Sequence, residues 1–151
     1  METTTLESNK KIAREFWESF AKGDVQQVEK LWGSDYKLHF PGKINALSKE
    51  ESKQVMKEYN TGFPDMKVSI EDQIAEGDLV VTRTTIGGTH KGEFQGFAAS
   101  NKKIIVTAIS TQRIVDGKIV EEWSEFDALG MMKQIGAIPE MANVQKPVFT
   151  R

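Results

Sequence analysis

The stretch "KKIIVTAISTQRIVDGKIVEEWSEF", residues 102–126, decides the fold. Apolar and polar residues alternate on both sides of Asp116-Gly117, a dipeptide that favours the tight two-residue turn of a β-hairpin. With those two residues in the turn, Ile114 is expected to pair with Ile119, Gln112 with Glu121, Ser110 with Trp123, Ala108 with Glu125 and Val106 with Asp127. One face of the hairpin would then carry Gln112, Trp123, Glu125 and Asp127, and the other Arg113, Glu122, Ser124 and Phe126. Neither face is wholly polar. Both should therefore be covered, one by helices and the other by a second subunit or by the chain's own tail.

Upstream, "MKVSIEDQIAEGDLVVTRTTIGGTH" reads as two more strands joined at Glu76-Gly77-Asp78. Before them the period is helical. Ile12, Ala13, Phe16, Trp17 and Phe20 recur on one face, with Thr4 and Glu7 spaced as a capping box and Gly23 as a stop. Asp24 caps a short second helix bearing Val25, Val28, Leu31 and Trp32, which Gly33 ends. "DYKLHF" alternates as a strand, with Tyr36, Leu38 and Phe40 opposite Lys37 and His39, and Pro41-Gly42 ends it. Ser48 and Glu51 form a second capping box ahead of Val55, Met56 and Tyr59, and Gly62 and Pro64 terminate that helix. Helices first and antiparallel strands afterwards predict one α+β domain over residues 1–151, with helices packed on one face of a strongly curved sheet. The periodicity fades after Gly136, so residues 140–151 are expected to form a loosely docked tail.

A chain of 151 residues can bury roughly 70 % of its unfolded surface, enough for a core with a pocket. With 20 basic against 22 acidic side chains, no charge excess attracts nucleic acid or an anionic membrane surface. The absence of cysteine excludes disulfides and thiolate chemistry, and the 2 histidines stand far apart in sequence, so no metal is expected. No span-length apolar run and no leader pattern are visible, which reads as a cytoplasmic protein.

"AEGDLVVTRTTIGGTHKGEFQGFAASNKKI", followed by "RIVDGKIVEEWSEFDALGMMKQIGAIP" and preceded by "FPDM", resembles the SnoaL-like ester and polyketide cyclases of the NTF2-like superfamily. The resemblance runs over about residues 8–139. It implies a cone-shaped α+β barrel with a deep pocket, and cofactor-free ring closure by intramolecular aldol condensation. It also implies that Asp127, in the W-x-x-x-D pattern, is the acid/base group, and that His90, in G-T-H, is a second site residue. Where ester cyclases often carry a Pro-Thr-Gly turn this chain has "AASNKK", residues 98–103, which implies a different substrate.

Read from the residues, Asp127 has two possible tasks. Walled by Trp123, Leu129 and Met131 it would be a desolvated base for a proton next to a carbonyl; ahead of "ALGMMKQIG" it would cap a helix. His90 either binds a ligand carbonyl or is a turn residue bonded to backbone. His39 is a polar pocket residue or an exposed one. Gln112 and Glu121 either orient a substrate or satisfy each other, and Glu125 either perturbs Asp127 or is solvated. Tyr59 and Phe63 are candidate pocket walls, Phe94 and Phe97 candidate lids in a glycine-rich loop, and Trp17 and Trp32 core residues. The expected partners are a small hydrophobic carbonyl compound and a second copy of the chain docked through the sheet. The open functions are a cyclase-type enzyme, a non-catalytic binding protein and, last, an isomerase or an epoxide-opening enzyme, the latter needing Arg113 turned inward.

Overall fold

The computed structural model describes residues 2–139; the expected tail, 140–151, lies outside them. Helix α1 spans Glu2–Ala21, α2 Val25–Leu31 and α3 Lys49–Gly62, and a short α4 spans Ala128–Gln134. The strands are β1 Trp32–His39, β2 Lys67–Glu76, β3 Leu79–Thr89, β4 Lys103–Val115 and β5 Lys118–Phe126. They form one sheet in the order β1-β5-β4-β3-β2. All neighbours are antiparallel except β1 and β5, which run parallel because α3 and three strands separate them in sequence. Among the described residues the sheet does not close on itself, and helices rather than further strands complete the cone. Among the described residues no helix is long and apolar enough to cross a membrane.

Local signals explain most boundaries. Asp24 accepts from the Gln27 amide at 3.0 Å and starts α2. Ser48 and Glu51 exchange the two bonds of a capping box at the head of α3. Asp116 and Gly117 both have positive φ, 49° and 76°, as the hairpin turn requires. Two expectations are corrected. Helix α1 is already formed at Glu2, so Thr4 lies within its first turn and is not its cap. The chain leaves α2 as a strand at Trp32, before Gly33 can act as the stop.

The larger correction concerns the hairpin. Ile114 does face Ile119, but the next pair is Arg113 with Glu121, so Val120 is an extra residue and β5 carries a bulge. Beyond it every partner moves by one: Gln112 faces Glu122, Thr111 faces Trp123, Ser110 faces Ser124, Ile109 faces Glu125 and Ala108 faces Phe126. A one-residue slip exchanges the faces of a strand. Glu122, Ser124 and Phe126 therefore point to the helices, and Glu121, Trp123 and Glu125 to the outer face.

The core forms two apolar clusters. Ala13, Phe16, Trp17, Val28, Leu31 and Tyr36 belong to the one between α1, α2 and the sheet. Phe63, Met66, Phe94, Ile104, Val106 and Met131 belong to the other, beneath the end of α3 and α4. A cavity of about 90 Å³ is lined by residues of both.

Candidate functional site

The cavity wall is built by the inner face of the sheet and the apolar faces of α1 and α3. Helix α1 contributes Phe16, Trp17 and Phe20, β1 contributes Trp32, Tyr36 and Leu38, and α3 contributes Met56 and Tyr59. From the hairpin come Val106, Ala108, Glu122, Ser124 and Phe126. Among the described residues Glu122 is the one carboxylate in this wall, and no lysine, arginine or histidine accompanies it.

Glu122 is 3 % exposed. The Tyr36 hydroxyl donates to its Oε2 at 3.0 Å and the Gln112 amide donates to the same oxygen at 3.1 Å. Oε1 has no partner among the described residues, so one oxygen is anchored and the other free. Burial raises the Glu122 pKa to about 7, against the lowering effect of the bonds from Gln112 and Tyr36. Burial, and then the adjacent carboxylate, push the Tyr36 phenol well above its ordinary range, so it stays a donor. Trp32 stacks on Tyr36 with ring centroids 4.2 Å apart, fixing the phenol that anchors the carboxylate.

The residues singled out in the sequence fall into three places. Tyr59 and Phe63 line the cavity, and Gln112 stands behind it, holding Glu122 rather than Glu121. Trp17 and Trp32, read as core, are both buried and part of the wall. Phe97 is 42 % exposed and does not line the cavity, whereas Phe94 is fully buried, packed on Tyr59 and Phe63 with centroids at 4.9 Å and 5.3 Å.

Trp123, Glu125 and His39 lie on the outer face instead. His39 stacks on Trp123 with centroids 5.2 Å apart, and its Nε2 meets Glu121 Oε2 at 2.7 Å. The Arg113 guanidinium sits 5.7 Å from the Trp123 ring centroid and bonds both oxygens of Asp78. Arg113 is thus directed away from the cavity, as an epoxide-opening reading could not have it.

Asp127 is exposed and caps α4, its Oδ1 accepting from the Gly130 amide at 2.8 Å. A side chain at Gly130 would collide with this carboxylate, which accounts for the D-x-x-G spacing by helix capping alone. The expectation that Asp127 shares an inward face with Gln112 fails because the bulge spends one residue before it.

His90 is fully buried beside Phe63, and it does not line the cavity. The Ser100 amide donates to its Nδ1 at 3.2 Å, and Ser100 Oγ lies 2.9 Å from the same nitrogen. Its backbone N–H donates to Lys102 and its carbonyl accepts from Asn101, so it pins the loop before β4. Asp65 of "FPDM" binds the Thr89 amide and hydroxyl, both at 2.7 Å, and these bonds lower its pKa. Gly92 lies against the end of α3, where any Cβ would overlap the Thr61 carbonyl. The F-P-D-M and G-T-H-x-G motifs are therefore two halves of one clasp. Among the described residues no three His, Asp or Glu side chains gather as metal ligands.

The chain belongs to the SnoaL-like polyketide cyclase family, whose model matches residues 11–135. Its fold is shared by AclR from Streptomyces galilaeus, which carries a provisional hydroxylase assignment, at 25 % identity and a TM-score of 0.82, over 89 % of this chain and 99 % of that one. Wild-type IdmH from Streptomyces antibioticus, provisionally a polyketide cyclase, is 29 % identical over 85 % of this chain and 98 % of its own, with a TM-score of 0.77. TsrD from Streptomyces laurentii is 25 % identical over 87 % of this chain and 97 % of its own, with a TM-score of 0.76. No curated protein matches the chain in sequence.

Proposed function

We propose that this chain is an acid/base enzyme of the cyclase type, acting on an apolar carbonyl compound held in the cavity, with Glu122 in the role expected of Asp127. The observation that carries this reading is a buried carboxyl with a pKa of about 7, one oxygen anchored and the other free, in an otherwise apolar wall. A base is most useful when its pKa lies near the working pH, because it is then substantially ionised and still basic. Glu122 Oε1 removes a proton from the carbon next to a ligand carbonyl, leaving an enolate. The enolate carbon bonds to a second carbonyl carbon of the same molecule, and the protonated Glu122 returns its proton to the resulting alkoxide. Tyr36 and Gln112 position the carboxylate and do not exchange protons with the ligand.

Heptane-2,6-dione, which closes to a single ring by this chemistry, provides the test. Deuterium incorporation next to its carbonyls in heavy water, followed by proton NMR, should be at least about 100-fold slower with Glu122→Gln, within the range for loss of a positioned base. Equal rates in the two proteins would leave the cavity a binding site without this catalysis.

The same proposal includes a homodimer through the outer sheet face, where Ile74, Ile105 and Ile109 are 67 %, 69 % and 50 % exposed. Ile105→Lys should halve the sedimenting mass. A wild-type chain that sediments as a monomer contradicts this part.

A further inference from the structure

Building on Glu122 as the acid/base group, we infer that the cavity selects an uncharged carbonyl compound no larger than one ring and rejects fused-ring and carboxylate-bearing molecules. The first ground is volume. An apolar cavity of roughly 150 Å³ accommodates benzene, and this one measures about 90 Å³, so a single ring fits only with a small outward shift of the side chains around it and a second ring needs a much larger one.

Its walls are braced against expansion. Trp17 is gripped edge-on by Phe16 and Phe20, with centroids at 5.2 Å and 5.8 Å, and Phe40 meets Phe126 at 5.6 Å. Tyr59 is held between Phe94 and Phe126. Widening the cavity by a second fused ring would move several of these contacts together, and close-packed interiors resist such shifts.

The second ground is charge. Among the described residues the wall offers no cation, and its single ionisable group near neutrality is itself a carboxyl. A ligand carboxylate would lose its water, find no counter-charge and be repelled by ionised Glu122. A ketone or aldehyde pays far less for desolvation.

Equilibrium dialysis of the full chain against cyclohexanone, 1-tetralone, anthrone and cyclohexanecarboxylate at pH 8 tests both grounds. Cyclohexanone should bind at least about tenfold tighter than anthrone or cyclohexanecarboxylate, with 1-tetralone between. Tyr59→Ala should admit anthrone, and the milder Phe40→Leu should shift the ratio in the same direction if the first variant does not fold. Anthrone binding as well as cyclohexanone overturns the size limit. Equal binding of the carboxylate overturns the charge rule, and no binding by any probe overturns both.

Deuterium exchange at the α-carbons of bound cyclohexanone and 1-tetralone, and at C10 of anthrone, whose carbonyl lies between two aryl carbons, separates this from the base assignment. Glu122-dependent exchange in anthrone would sink the size limit and leave the base intact. Cyclohexanone that binds selectively without exchange would do the reverse.

Discussion

The two faces of the β4–β5 hairpin carry the same kinds of residue in opposite circumstances. On the inner face a carboxylate, a phenol and an amide are enclosed by apolar walls, so burial dominates and the carboxyl of Glu122 is pushed up to about 7. On the outer face Glu121, His39, Trp123 and Arg113 make contacts as close or closer, yet the Glu121 and His39 side chains remain 31 % and 40 % exposed. Water there competes with every ion pair, which limits each to about 1 kcal/mol or less. Proximity of polar groups is common to both faces. Only the inner one converts proximity into altered chemistry, because only there is the solvent removed.

That contrast can be broken most directly at Glu122. Beyond the loss of exchange in Glu122→Gln, the wild-type exchange rate should rise with pH through about 7, since the ionised carboxylate is the active form. A profile flat across this range would show that another group sets the rate.

Next in size is stability. The Glu122 pKa is higher folded than unfolded, so the native state holds the extra proton between about pH 4.5 and 7. Stability from this group is full below the unfolded pKa and is lost as pH rises through the folded one. The total is on the order of 3 kcal/mol. Chemical denaturation should show it as a decline from pH 4.5 to 8 that Glu122→Gln abolishes, and a variant that keeps the full decline would assign it to other groups.

Asp127→Ala should cost about 1 kcal/mol, the usual worth of a helix cap, and leave exchange unchanged. A large loss of exchange with unchanged stability would restore Asp127 as the base.

The smallest effect belongs to the outer face. Glu121→Gln should cost less than about 1 kcal/mol and leave both exchange and its pH profile in place. A shifted profile would mean that the two faces are coupled through the strand.

Much of this was legible in the chain itself. Ser48-x-x-Glu51, Asp24 and Asp116-Gly117 announce two caps and a turn whose bonds are satisfied within a few residues, so local chemistry is enough to place them. The alternation in "DYKLHF" correctly sets Tyr36 and Leu38 against His39. The candidate site is legible only in part, because Tyr59, Phe63 and Gln112 fall on or behind the cavity wall while the turn alone places Glu122 on the hairpin face opposite Gln112 and Asp127. A single signal favoured the other register: it alone matches the apolar Phe126, rather than Glu125, with the small Ala108.

What the sequence determined by itself was therefore the order of elements, their caps and the apolar stripe of each helix, all products of interactions between near neighbours. What the tertiary structure decided was which carboxylate is buried. That choice rests on one extra residue, Val120, whose accommodation depends on how β5 is held between β1 and β4. Strand β1, more than eighty residues away in sequence, flanks β5 on its other side, and apart from the Phe126–Ala108 match the local pattern does not record that alignment.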